Sequence, residues 1–218
     1  GFSVSRHAFK YGVPIRFSLD PDEEAEQPVL DGHQTRGDVR ANIPVGGFFK
    51  IFEFRGGIAK YHHDELDPEG DVGSSFSTKG GEMRADIVQN ERGGWGGTSG
   101  VQYLDVKVQL SGDEKYLPDS ENRQLGFFTL QSLVRGPIRF EGGLRVESTH
   151  LDADADPQIA GNGGPIGTIP LSIDFTPVSA SLGGNYEFAR NWRAGLSIAH
   201  NERAPAIDEL FSQGPHGG

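Results

Sequence analysis

Apolar and polar residues alternate with a period of two along most of the chain. In "PIRFEGGLRVES", Ile138, Phe140, Leu144 and Val146 form one set, and the alternating set carries four charged residues. Successive side chains of a strand point to opposite faces, so this pattern predicts strands with one apolar and one polar face. The same alternation recurs in "RGDVRANIPV", "GEMRADIV", "VSASLGGNYEF" and "WRAGLSI".

Nine segments are predicted to be strands. "VQYLDVKVQL" changes phase between Tyr103 and Leu104, which predicts a β-bulge, and "QLGFFTLQSLV" is apolar on both faces, which leaves its register open. Short links alternate with longer, acidic ones, so the predicted fold class is all-β, an antiparallel meander with short turns at one end and long loops at the other. The predicted strands are residues 1–9, 35–45, 48–66, 75–90, 96–112, 122–135, 137–152, 176–189 and 191–202.

The lengths of these strands and the chemistry of their faces favour a membrane barrel over a soluble sandwich. Sandwich strands usually run about 5–6 residues, whereas transmembrane strands need roughly 9–11, as most of these segments do. Aromatic residues flank the turns, as interfacial girdles do. They are Phe48, Phe49, Trp95, Phe175 and Trp192. The apolar faces are expected to contact lipid and the charged faces to line the lumen, the lumen-facing set being Arg139, Glu141, Arg145, Glu147 and Arg193.

Composition narrows the classes of function. The chain has 218 residues, 35% of them hydrophobic, with 32 Gly, no Cys and a formal charge of −11. Without cysteine there are no disulfides or thiolate metal sites. Because Lys and Arg are scattered singly in an acidic chain, no nucleic-acid partner is predicted. No run approaches the roughly 20 apolar residues of a transmembrane helix, so the chain is either soluble or crosses a membrane with strands.

The motif "NERAPAIDELFSQGPH" resembles the barrel of TonB-dependent outer-membrane receptors. In that family a strand ends in Arg-Ala-Pro and continues into a Glu-Leu-[Phe/Tyr] segment and a Gly-Pro-His. Further matches are "YGVP", "YHHDELDPEGDVGSSFSTKGGEMRADI", "GWGGTSGVQY" and "RQLGFFTLQSLVRGPIRFEGGLRVESTHLDAD". Within the superfamily, the spacing is most similar to the branch that includes receptors for zinc and other metals.

The resemblance implies a barrel of roughly 22 strands closed around a plug domain, in the outer membrane of a Gram-negative bacterium. Nine strands are too few for such a barrel, so residues 1–218 are expected to form a partial barrel domain without the plug. The implied function is active transport of a nutrient, with a metal ion or metal chelate among the candidates. The implied partners are outer-membrane lipid and lipopolysaccharide, the TonB energy-transducing complex through the absent plug, and a small nutrient or metal substrate.

A "HHDE" cluster is the first candidate for metal ligation. His62, His63, Asp64 and Glu65 combine nitrogen and oxygen donors suited to Zn²⁺ or a similar cation. Alternation allows only His62 with Asp64, or His63 with Glu65, to converge without a turn. A solvated polar loop is the competing interpretation, so no cofactor is predicted and a bound divalent cation is left open.

An acidic vestibule is the second candidate site. Asp152, Asp154 and Asp156 follow a strand at the same end of the sheet as the histidines. The loop after "YGVP" reads "IRFSLDPDEEAEQPVLDGHQ", whereas the zinc branch often carries a His-rich insertion there. Such negative charge would concentrate a cationic substrate, or bind divalent ions that bridge lipopolysaccharide, or bind nothing, and these alternatives remain open.

No enzyme is predicted, because the chain has no G-x-S-x-G, P-loop or H-E-x-x-H motif. A soluble all-β binding module with acidic ion-binding loops is the alternative function, from a different class of protein.

Overall fold

Ten strands form one antiparallel sheet in the computed structural model of the chain, which describes residues 1–13, 27–112, 115–156 and 171–212. Strands adjacent in sequence are also adjacent in the sheet, except that β7 pairs with both β8 and β9. The elements are β1 (Phe2–Gly12), β2 (Val29–Gly46), β3 (Phe49–Leu66), β4 (Val72–Gln89), β5 (Trp95–Gly112), β6 (Ser120–Arg135), β7 (Ile138–Ala153), β8 (Ser172–Phe175), β9 (Val178–Ala189), β10 (Trp192–His200) and helix α1 (Ile207–Phe211).

The all-β antiparallel meander is confirmed, with two differences in extent. A short tenth strand, β8, lies where a loop was expected and pairs with the end of β7. The predicted loop 10–34 is also shorter than expected, because β1 and β2 continue to pair as far as Gly12 and Val29. The acidic residues 14–26 and the Gly-Pro-His at 214–216 lie outside the described residues.

Cross-strand register divides the sheet into two surfaces, because residues paired across an antiparallel sheet have side chains on the same side. Phe140 pairs with Gly184, which also pairs with Leu196, whereas Arg139 pairs with Asn185. We call the first surface the apolar face and the second the polar face. The predicted separation of Leu144 from Arg145 is confirmed, since they are successive residues of one regular strand.

The prediction of a β-bulge at Tyr103 and Leu104 is wrong. Strand β5 pairs with β4 and β6 residue by residue through this point. Tyr103 therefore lies on the apolar face and Leu104 on the polar face. The change of phase in the sequence reflects a change in the kind of residue that each face carries beyond this point. Beyond Tyr103 the apolar face becomes charged, at Asp105 and Lys107, while the polar face becomes hydrophobic. Irregularities in register occur instead near strand ends, at Phe49/Ile51, Glu65/Leu66 and Trp192/Arg193.

The open register of β6 is decided by contacts on the polar face. Phe127 pairs with Val146 on the apolar face, and Phe128 pairs with Arg145 on the polar face. The Arg84 guanidinium lies 4.2 Å from the centre of the Phe128 ring. This cation–π contact stabilises the aromatic side chain on the polar face, among charged neighbours.

A small hydrophobic cluster covers the polar face at the long-loop end of the sheet, where β3, β5 and β7 end. It joins side chains of β5 and β7 to the β5–β6 loop and to α1, with Phe76, Tyr116 and Phe175 packed against it. Within the described residues, its members are the only buried hydrophobic ones. They are Leu110, Leu117, Leu151, Ala153, Ile207 and Phe211.

Gly100→Ala is expected to lower the free energy of unfolding by about 1–3 kcal/mol, because the new methyl group overpacks this site. An added Cβ would lie 2.5 Å from Phe128 Cζ and 2.7 Å from Asp86 Oδ1. Gly183→Ala is the matched control on the same face, since its nearest neighbour would be Ser197 Cβ at 3.5 Å. Urea unfolding of both variants under identical conditions measures the difference, and equal stabilities would contradict the packing described.

Candidate functional site

A cleft of about 460 Å³ lies on the polar face, over strands β2 to β5. Three arginines occupy one cross-strand row in it, since Arg40 pairs with Arg55 and Arg55 pairs with Arg84. The polar side chains that line the cleft are Gln34, Arg36, Asp38, Arg40, Arg55, Tyr61, Thr78, Glu82, Arg84 and Gln102.

A buried carboxylate, Asp86, anchors two of these arginines. Its side chain is 2% exposed, its two oxygens accept hydrogen bonds of 3.0 Å from Arg84 Nε, and its Oδ2 accepts one of 3.2 Å from Arg55 Nη2. Gly100, opposite Asp86 on β5, leaves the space that this carboxylate occupies. The arrangement holds two guanidinium groups at fixed positions at one side of the cleft.

Ion pairs between residues i and i+2 recur along the polar face, because such residues share a face of a strand. Arg36 pairs with Asp38 and Arg139 with Glu141, each at 2.8 Å, and Arg145 pairs closely with Glu147. Register places all five predicted lumen residues, including Arg193 opposite Glu187, on this face. Exposed pairs of this kind contribute about 0–1 kcal/mol each, so they organise charge more than they stabilise the fold.

The "HHDE" residues are divided between the two faces. His62 and Asp64 lie on the apolar face with 3.3 Å between Nε2 and Oδ1, and Ser77 Oγ is 2.9 Å from His62 Nδ1. His63 lies on the polar face, stacked on Phe76 with ring centres 4.5 Å apart, and its Nε2 is 3.8 Å from Glu65. The four side chains do not converge on one point.

The three aspartates of the second candidate have separate partners. Asp152 pairs with His150 at 2.6 Å on the apolar face. Asp156 pairs with Lys115 Nζ at 2.6 Å, and the backbone N–H of Asp154 donates to the carbonyl of Asp119. Over the ranges that the structure describes, no group of three or more His, Asp or Glu side chains is placed to hold a metal ion.

Lys115, which sequence reasoning missed, ties the long loops together. Its side chain is 12% exposed, and its ammonium group contacts both Asp119 and Asp156. Burial lowers the pKa of Lys115, but the hydrogen bonds to the two carboxylates outweigh this effect and raise it overall. Asp86 was also missed as an anchor, because its burial depends on Gly100, Arg55 and Phe128 from three other strands, which no local pattern reveals.

The Arg-Ala-Pro segment closes the turn that follows β10. Arg203 donates to both carboxylate oxygens of Glu209 at 2.7 Å, and the N–H of Ala206 donates to the same carboxylate at 2.8 Å. The contact orients α1 so that Ile207 and Phe211 enter the hydrophobic cluster. The hydrogen bonds from Arg203 and then from Ala206 lower the pKa of Glu209 to about 2.

Polar side chains on the apolar face satisfy one another. Trp95 Nε1 donates to Gln131 Oε1 at 2.9 Å, Gln131 Nε2 donates to Thr129 Oγ1 at 2.9 Å, and Ser99 Oγ lies 2.8 Å from Thr129 Oγ1. Each of these groups therefore has a hydrogen-bond partner on a face that is otherwise largely apolar.

No protein-family model matches the chain. Within the described part of the chain, no helix has the length and apolar character needed to cross a membrane.

Asp86→Asn is expected to lower the free energy of unfolding by about 1–3 kcal/mol, because Arg55 and Arg84 lose their charged acceptor. Glu141→Gln removes a carboxylate from an exposed pair and should cost less than about 1 kcal/mol. Denaturant unfolding measures the free energy of unfolding of both variants. If Asp86→Asn loses no more of this free energy than Glu141→Gln, Asp86 is not an anchor.

The carboxyl group of Glu209 is expected to titrate near pH 2. Because this pKa is lowered, the stabilisation of the turn is present above the ordinary pKa of 4.5 and is lost as the pH falls through about 2. In Arg203→Gln the pKa should rise toward its ordinary value, and in the control Arg193→Gln it should not change. A carbon-13 titration of the labelled carboxyl group measures both, and ordinary titration in the unsubstituted protein would exclude the contact.

Proposed function

We propose that this chain is part of the wall of a transmembrane β-barrel, in a TonB-dependent receptor that takes up a nutrient across the outer membrane of a Gram-negative bacterium. One observation carries the proposal: a single-layer sheet presents an extensive exposed apolar face and a separate charged face.

The apolar face exposes large hydrophobic side chains in every long strand. Phe2 is 88% exposed, Leu196 84% and Ile58 72%. Soluble monomers rarely leave large hydrophobic side chains exposed side by side across a whole sheet. The acyl chains of a lipid bilayer would cover these side chains. In lipid, a sheet must also pair the backbone groups of its edge strands, and it does so by closing into a barrel.

The depth of the apolar band supports the same proposal. On β5 the band runs from Trp95 to Tyr103, about nine residues, close to the roughly 9–11 that a tilted strand needs to cross the hydrocarbon core. On β6 it runs from Leu125 to Leu133 in the same rows of the sheet. The remaining residues of these strands would extend into solvent at the long-loop end.

The charged face suits the lumen of such a barrel. Arginine on the lipid side at the bilayer midplane costs about 2–4 kcal/mol, so the row of Arg40, Arg55 and Arg84 favours a water-filled or protein-filled interior on that side. In this proposal the cleft and its anchored guanidinium groups face the transported substrate or a plug domain. The substrate class is a small nutrient, with a metal ion or chelate among the candidates, and energy comes from the TonB complex through the plug.

Spin labels at Leu144→Cys and Glu141→Cys test the proposal in the full-length protein reconstituted in lipid vesicles. The two sites lie on one strand, on opposite faces, with Leu144 48% exposed and the Glu141 side chain 42% exposed. The label at 144 should collide more with dissolved oxygen, which enriches in lipid, and the label at 141 more with a water-soluble nickel chelate.

Preference for the nickel chelate at both sites would contradict a lipid-facing surface. Recovery of the full-length protein from the aqueous fraction without detergent would favour a soluble all-β binding module instead. Either result would overturn the transport proposal.

A further inference from the structure

Three lysines stand side by side on the apolar face, just beyond the apolar band toward the long-loop end. Lys60 pairs with Lys79, and Lys79 pairs with Lys107, so the three occupy one cross-strand row of β3, β4 and β5. All three side chains are exposed. We call this set the lysine row.

Two lysines of the row, Lys60 and Lys79, lack the counter-charges that other cations of the sheet have. Arg36, Arg84 and Arg139 each contact a carboxylate two residues away. In the described part of the chain, neither Lys60 nor Lys79 has a carboxylate within 4 Å. Lys107 lies 3.3 Å from Glu121, but that carboxylate also accepts two hydrogen bonds from Arg123.

Like charges directly opposite each other on a sheet are destabilising. Of the three lysines, Glu121 contacts Lys107 alone, so an external anion would offset the repulsion that remains around Lys60 and Lys79. Adjacent strands lie about 4.8 Å apart, so the row extends about 10 Å and can contact more than one phosphate group.

The position of the row identifies the kind of anion. Ile58 lies two residues before Lys60 on the same face, and Met83 and Tyr103 lie on that face in the neighbouring strands. A ligand that binds the lysines and also covers the adjacent apolar band needs both a negative and a hydrophobic part. A phosphorylated lipid meets both requirements, whereas free phosphate meets only the first.

We infer that the lysine row binds the phosphate groups of an anionic lipid headgroup while the acyl chains of that lipid cover the apolar band beneath it. The inference rests on the proposed function, since it requires the apolar face to contact lipid. The flexible lysine stems allow the ammonium groups to reach the headgroup region.

The direct test titrates the full-length protein, in a zwitterionic detergent, with a lipid that carries two phosphates on its headgroup. Native mass spectrometry measures binding to the unsubstituted protein and to the triple variant Lys60→Gln, Lys79→Gln, Lys107→Gln. Each basic residue near an anionic lipid surface contributes substantially to the free energy of binding. The triple variant should therefore lose roughly tenfold or more in affinity.

A charge-matched control separates the row from net charge. Arg36→Gln, Arg139→Gln, Arg193→Gln removes three cations from the polar face and should change affinity by less than about twofold, because these residues do not face lipid. Equal losses in both variants would overturn the inference. Equally tight binding of inorganic phosphate to the row would also overturn it, since the site would then be a general anion site.

A second measurement guards against misfolding of the triple variant. In zwitterionic detergent alone, Lys79→Gln should raise the midpoint of thermal unfolding slightly, because repulsion within the row is relieved. The phosphorylated lipid should raise the midpoint of the unsubstituted protein more than that of Lys79→Gln. Identical lipid-induced shifts would contradict the inference. If the spin label at 144 faces lipid and these shifts are identical, only the lysine row fails, and the transport proposal stands.

Discussion

Unbroken cross-strand register is the constraint on which both surfaces of this sheet depend. Each residue shares a face with its partners on the neighbouring strands, so a slip of one residue would place Arg145 where Leu144 now lies. The irregularities in pairing stand near strand ends, at Phe49/Ile51, Glu65/Leu66 and Trp192/Arg193. The middle of the sheet therefore keeps one apolar and one charged surface from β1 to β10.

The same register gives each face its own way of handling polar groups. On the polar face, charges are paired along strands at i and i+2, and Asp86 joins Arg84 to Arg55 across two strands. On the apolar face, Gln131 accepts a hydrogen bond from Trp95 and donates one to Thr129, so these polar side chains are hydrogen-bonded to one another. The lysine row is the exception, because Lys79 lies between two like charges, Lys60 and Lys107, on the neighbouring strands.

At the long-loop end the molecule changes from a two-faced sheet to a packed structure. The contact of Arg203 with Glu209 turns the chain after β10 so that α1 packs against residues of β5 and β7. This contact gives a physical account of the Arg-Ala-Pro and Glu-Leu-Phe elements of the sequence motif. The hydrophobic end of β5 on the polar face belongs to the same packed structure, since Leu110 is a member of the cluster that α1 completes.

The all-β class, nine of the ten strands and the two faces were determined by the sequence itself, because a period of two is a local property that a strand converts directly into opposite surfaces. Tertiary structure alone decided the register of β6, the absence of a bulge at Tyr103 and the extent of β2, since each depends on what a neighbouring strand presents. It also separated His62 from His63 and gave Asp152 and Asp156 different partners. Burial of Asp86 and alignment of the lysine row arise from residues distant in sequence, and only pairing of the strands brings such residues together.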